Sequence, residues 1–142
     1  DNIRNNIPIK LVNLNKLNKE TNNLDHVKLK AITKTINNNQ NYNFKILILY
    51  GLPKLEFEAV LAHELLHTWL FDNQINLQPL VEEGFCNLGR YLIFKNDQTQ
   101  FASIHLEAME IDSDPGYGIE YRKFKLKLKQ LGWEKLIFNI MN

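Results

Sequence analysis

One cysteine, Cys86, is all that the 142-residue chain contains, so it can form no disulfide within itself and no cysteine-based zinc finger. A lone free thiol suits a reducing compartment, and the cytoplasm is the expected location. Neither sign of charge is in excess. Seventeen basic and sixteen acidic residues leave a formal net charge of +1, which excludes a strongly basic nucleic-acid binder and an acidic solvating tail. The lysines of residues 123–129 are interleaved with Phe124, Leu126 and Leu128, which reads as a solvated face beside a buried one, so no nucleic-acid partner is expected. Long apolar runs are also missing. The longest, residues 46–50 extended through Leu52, is far too short to span a bilayer, and no membrane partner is expected. No signal peptide is visible, and a chain that begins at Asp1 reads as a trimmed fragment.

What is present fits a soluble globular protein. Hydrophobic residues make up 44% and charged residues 23%, an average balance, and the length suits a single domain over residues 1–142 with a core of its own. Asparagine runs such as Asn37, Asn38 and Asn39 reflect a nucleotide bias rather than a function, and they mark loops.

The first fifty residues read as strands joined by Asn-rich connections. Ile7, Ile9 and Leu11 alternate with Pro8 and Lys10, the period of a half-buried strand. Val27, Leu29 and Ala31 repeat the pattern, and residues 37–43 form a turn or loop. Residues 44–50, closed by Gly51 and Pro53, read as an inner strand. Residues 56–71 then carry no helix breaker and are apolar on nearly every side, which predicts a buried helix. Pro79 opens a second helix, with Val81, Phe85, Leu88 and Leu92 on one apolar face. Asp97 with Gln100 resembles a capping box for a third helix through Met109. Asp114, Pro115 and Gly116 form a turn. Beyond Gly118 the pattern suits a helix or a strand equally.

The buried helix carries His63, Glu64, Leu65, Leu66 and His67. Residues four apart share a helix face, so both imidazoles can reach one ion. Zinc is the metal that this donor type suggests. Glu64 lies about 100° around the helix, beside the metal, where it can act as general base toward a water that the ion activates. Two imidazoles and a carboxylate in an apolar helix are unfavourable unless a metal compensates them. A catalytic zinc needs a third protein ligand and one open position. Glu82 and Glu83 both open the next helix, and helical phase does not decide between them.

A histidine pair followed by Glu83, Gly84 and Phe85 resembles the gluzincin group of metallopeptidases. In that group the glutamate directly before the glycine is the third ligand, which here implies Glu83. Residues 46–53, 61–70, 81–86 and 113–122, in that order, resemble the DA-one-like peptidase domain. That family includes plant ubiquitin-activated, LIM-linked peptidases that limit organ growth. The resemblance covers the peptidase core. The ubiquitin-interacting segments and LIM module of the plant members have no match in this chain, so a link to ubiquitin follows from family resemblance alone.

The fold that the resemblance implies is α+β and zincin-like. An N-terminal twisted sheet packs on the buried His63–His67 helix, followed by the glutamate helix and C-terminal helices. The implied activity is hydrolysis of a peptide or protein substrate, added as a strand to a sheet edge. His63, His67 and Glu83 hold Zn²⁺, Glu64 serves as base and later as proton donor, and Tyr117 is a candidate oxyanion donor. His105 is a weaker candidate for that last role. Asn87 is a candidate to orient a ligand, and Cys86 a core residue. Glu82 could hold a substrate amino terminus, which would favour an aminopeptidase over an endopeptidase. The rival reading is a zinc-stabilised peptide- or protein-binding module without turnover. A metal-free interaction domain is a third.

Overall fold

The computed structural model describes residues 6–21, 29–39 and 41–142. Among the described residues the order is β1 (Ile9–Val12), α1 (Leu14–Thr21), β2 (Ala31–Asn38), β3 (Asn41–Leu49), α2 (Lys54–Asp72), α3 (Pro79–Asn96) and α4 (Gln100–Ile111). A π-helical segment, Pro115–Glu120, then leads into α5 (Tyr121–Leu131) and α6 (Trp133–Met141). Among the described residues the class is α+β, a three-stranded sheet with six α-helices. Val27 lies outside the described residues.

The sheet order is β1-β3-β2, with β3 parallel to β1 and antiparallel to β2. The expected inner strand is β3. Ile46 and Ile48 point to one face, Leu47 to the other, and all three are buried, the mark of a strand covered on both sides. Ile46 and Ile48 pack with Ala31 and with Val60 of α2. Leu47 packs with Val12 and with Leu17 of α1. The two helices thus cover opposite faces of one small sheet.

Several N-terminal expectations are corrected. Residues before Tyr50 are not strand throughout, because α1 intervenes. Its cap is Asn13, whose Oδ1 accepts from the Lys16 amide at 2.9 Å while its carbonyl accepts from the Leu17 amide. On β1 the phase is reversed: Ile9 and Leu11 are exposed and Val12 is buried. β1 is an edge strand, and α2 packs over β2 and β3 instead. The Asn-rich loop at 37–43 shrinks to a tight connection, since Asn37 and Asn38 pair with Tyr42 and Asn41. Asn39 takes the turn with φ 35°, a left-handed value that asparagine tolerates.

The helical half follows the apolar patterning more closely. α2 extends slightly beyond the expected span, with Pro53 before it and Asn73 after it. Pro79 occupies the first turn of α3. The apolar face expected of α3 turns at its end: Leu92 is exposed, while Tyr91 and Phe94 are buried. Tyr91 meets Tyr121 of α5 and Phe94 meets His105 of α4, so the helices that follow α3 widen its buried side. The α4 cap is Thr99 rather than Asp97. Thr99 Oγ1 accepts from the Ala102 amide at 3.2 Å, and Asp97 bonds back to Thr99. The segment after Gly118 is helical, since Leu126 is exposed while Tyr121 and Phe124 are buried. The main core joins Phe85, Leu88 and Phe94 of α3 to Leu70 of α2, Met109 of α4, Phe124 of α5 and Leu136 of α6.

Candidate metal centre

His63, Glu64 and His67 all lie on α2, and His63 and Glu64 are buried. The next helix comes close because one of its residues has no side chain. A Cβ at Gly89 would sit 2.8 Å from the carbonyl carbon and oxygen of Ala62, so glycine lets the α3 backbone rest against α2. A second contact depends on Gly84, where a Cβ would meet Glu120 Cβ at 2.5 Å and the Tyr121 nitrogen at 2.7 Å. Glycine directly after Glu83 therefore allows the π-helical segment to lie on α3. That segment starts where Asp114 Oδ1 accepts from the amides of Gly116 and Tyr117, and it carries Tyr117 to the site.

The result is a compact triangle. His63 Nε2 and His67 Nε2 are 3.1 Å apart, and Glu83 Oε2 is 3.1 Å from the first and 3.6 Å from the second. Among the described residues these three side chains form a group able to hold one metal ion.

The contacts of the outer ring nitrogens favour one tautomer. Asn87 Nδ2 donates to the Tyr117 carbonyl at 2.7 Å, which turns its Oδ1 toward His63 Nδ1 at 3.3 Å. His67 Nδ1 faces Glu82 Oε1 at 2.7 Å. The neutral tautomer that satisfies both contacts carries its proton on Nδ1, donated outward. In the neutral rings both Nε2 lone pairs are bare, and with the Glu83 oxygen they converge on one place. Three converging lone pairs repel unless a proton or a metal cation lies among them.

Size agrees with this chemistry. A tetrahedral ion with arms of about 2.0–2.1 Å spaces its ligands about 3.3–3.4 Å apart, and the three observed edges bracket that spacing. Two imidazoles and one carboxylate are a donor set of catalytic zinc, so these residues fit the ion.

Electrostatics point the same way. Burial opposes the Glu83 charge, yet in the metal-free site its contacts with the His63 and His67 rings, which would have to carry a proton toward it, hold its carboxyl well below the usual range. Burial would lower His67, but its contacts with Cys86, Glu82 and Glu83 raise it far above an ordinary histidine. The carboxylates that draw a proton to His67 would draw a cation equally.

The remaining candidates fall into place around this triangle. Glu64 Oε2 accepts from Thr33 Oγ1 of β2 at 2.6 Å. The Tyr117 ring stacks on His63 at 5.7 Å between centroids and 15° between planes. Burial and the nearby Glu83 push its phenol upward, so the hydroxyl keeps its proton. Glu82 is occupied by His67 rather than solvated as a free helix-start charge. His105 stacks on Phe94 and meets Phe101 at a tilt, outside the triangle. Cys86 is a buried core residue whose thiol burial pushes up to about 11.

Sequence reasoning missed Thr33. The usable signal was its position with Ala31 and Thr35 on one strand face, where a half-buried hydroxyl seeks a partner. No helix among the described residues is long and apolar enough to cross a membrane.

The model of the DA1-like family, described as Protein DA1, matches residues 22–107, more than half of the chain. That span holds His63, Glu64, His67, Glu82, Glu83 and Asn87, and it ends before Tyr117. Protein DA1-related 2 of Arabidopsis thaliana is 51% identical over 53 residues, which cover 37% of this chain and 10% of that protein. LIM domain-containing protein HDR3 of Oryza sativa subsp. japonica is 43% identical over 53 residues, or 37% of this chain and 11% of that protein. Protein DA1 of Arabidopsis thaliana is 46% identical over 44 residues, 30% of this chain and 8% of that protein. The matches thus span about a tenth of the length of these curated relatives. No solved structure matches the chain significantly. On the extent of the family match, this chain belongs to the DA1-like family.

Proposed function

We propose that the chain is a single zincin-like domain of the gluzincin type, which hydrolyses peptide bonds in a peptide or protein substrate. The observation that carries this reading is the convergence of His63 Nε2, His67 Nε2 and Glu83 Oε2, with the other ring nitrogens committed outward to Asn87 and Glu82. A carboxylate not used as a ligand, Glu64, lies on the same helix beside them. That pairing favours chemistry over a zinc-stabilised binding module, which would need the triangle but not Glu64.

Zinc bound by the triangle would supply Lewis acidity, bringing the pKa of a water down to about 7. Glu64 would be the group that accepts a proton from the attacking water and returns it to the leaving amine. Thr33 holds one of its oxygens and leaves Oε1 without a protein partner among the described residues. Tyr117, with its proton retained, is the candidate donor to the oxyanion. Its ring also covers His63 and limits the motion of that ligand.

Glu64→Gln tests the roles directly. The zinc-loaded variant should keep its metal and lose peptide cleavage by at least about a hundredfold, within the range for removal of a general base. A variant that cleaved at the wild-type rate would refute the mechanism. A wild type that bound zinc and peptides yet cleaved nothing would favour the binding module.

A further inference from the structure

Thr33 contacts Glu64 across 31 positions of sequence, with its hydroxyl 2.6 Å from Oε2 and 3.4 Å from the Glu64 carbonyl oxygen. A second polar contact, Lys30 with Glu56, ties the residue preceding β2 to the first turn of α2. The strand is therefore laid along the helix by groups at both levels. β2 is also an edge: its only strand partner among the described residues is β3.

The main chain adds an independent observation. The Lys30 carbonyl accepts from the Leu49 amide at 2.8 Å. In an antiparallel pair the bonded positions alternate. With the register Ala31↔Ile48 and Thr33↔Ile46, the N–H and C=O groups of Ala31, Thr33 and Thr35 point away from β3, toward the edge that no described strand covers. Thr33 thus presents its backbone where an extended peptide would pair, and its side chain to Glu64.

We propose that Thr33 is a positioning residue, whose hydroxyl fixes the Glu64 carboxylate beside the strand edge that would receive the substrate. The inference rests on the peptidase reading only in assigning Glu64 as base. The contact itself is independent of it. One hydroxyl bond restrains the rotation of a carboxylate whose second oxygen has no protein partner among the described residues. Because the same residue sets strand register and base position, a peptide paired with β2 arrives in a fixed relation to Glu64.

Thr33→Val removes the hydroxyl and keeps the branched shape; Thr33→Ser keeps the hydroxyl. Both should be studied zinc-loaded, by crystallography for the Glu64 carboxylate and by kinetics on a cleaved peptide. Thr33→Val should retain zinc and KM, show Glu64 displaced, and lose about ten- to a hundredfold in kcat, the scale of a misplaced catalytic group. Thr33→Ser should restore both the Glu64 position and kcat. An unmoved Glu64 with unchanged kcat in Thr33→Val would overturn the proposal, as would a loss that serine fails to rescue. A wild type without cleavage, but with Glu64 displaced in Thr33→Val, would uphold the positioning contact and refute the peptidase reading instead.

Discussion

Replacing Asn87 with alanine should weaken zinc binding even though Asn87 is not expected to touch the metal. The side chain is 1% exposed, and it joins three elements of the site. Its Oδ1 receives the His63 Nδ1 proton at 3.3 Å, its Nδ2 donates to the Tyr117 carbonyl at 2.7 Å, and Arg90 approaches the same oxygen at 3.5 Å. Alanine removes all three contacts. His63 would then be free to turn or to move its proton to Nε2, which hides the lone pair that the ion needs. Loss of such an orienting partner typically lowers metal affinity about 10- to 100-fold, equivalent to about 1.4–2.8 kcal/mol. The metal-free protein should lose stability as well, by about 1–3 kcal/mol, because a buried carbonyl and a buried N–H are left without partners. Competition with a chromophoric chelator measures the first quantity, and urea unfolding of the metal-free protein measures the second. Zinc affinity equal to wild type, in a variant with the expected loss of stability, would refute the orienting role and leave Asn87 as packing alone.

Three other substitutions or conditions separate the parts of the account. Glu82→Gln keeps an oxygen able to accept from His67 Nδ1, so zinc affinity should fall only a few-fold, whereas Glu82→Ala should cost about tenfold or more. If Glu82 instead holds a substrate amino terminus, Glu82→Gln would selectively impair free over N-acetylated peptides with zinc unchanged. Gly89→Ala gains helix propensity of about 1 kcal/mol, but its methyl would meet the Ala62 backbone at 2.8 Å. The clash should win, lowering stability by about 1–3 kcal/mol, readable in thermal unfolding. Finally, burial raises the Cys86 thiol from 9.0 to about 11, so the folded chain holds that proton more tightly than the unfolded chain. The associated stability is complete below pH 9 and is lost as pH rises toward 11. At pH 8 a thiol reagent should label Cys86 only on unfolding, and rapid labelling of the native protein would contradict its burial.

The readable parts of the sequence were those with a strong local signal. α2 was legible because 56–71 has no breaker and is apolar on nearly every side, and the helix runs only slightly further, between Pro53 and Asn73. His63 and His67 were legible because one helical turn brings them together whatever surrounds them. The sheet was less so. Leu14 and Leu17 alone mark α1, too little periodicity to outweigh its polar neighbours, although Asn13 offered a cap. Strand β1 has one buried position, Val12, and alternation cannot assign a face from one residue. Asparagines 37 and 38 are poor strand formers held in place by cross-strand pairing, which local propensity cannot see. At the site, helical phase left Glu82 and Glu83 equivalent. Folded, they serve His67 through different nitrogens: Glu82 at Nδ1, Glu83 near Nε2. Thr33 carried only a weak signal, its place on one strand face with Ala31 and Thr35, because its partner lies on a different element.

The measurement that tests the central claim most directly is the zinc content of the purified chain by elemental mass spectrometry, beside Glu83→Gln. The account predicts about one zinc per folded chain, with Glu83→Gln losing or greatly weakening it. A folded wild type that takes up no zinc after reconstitution would contradict the account, and the hydrolytic reading would fall with the metal site.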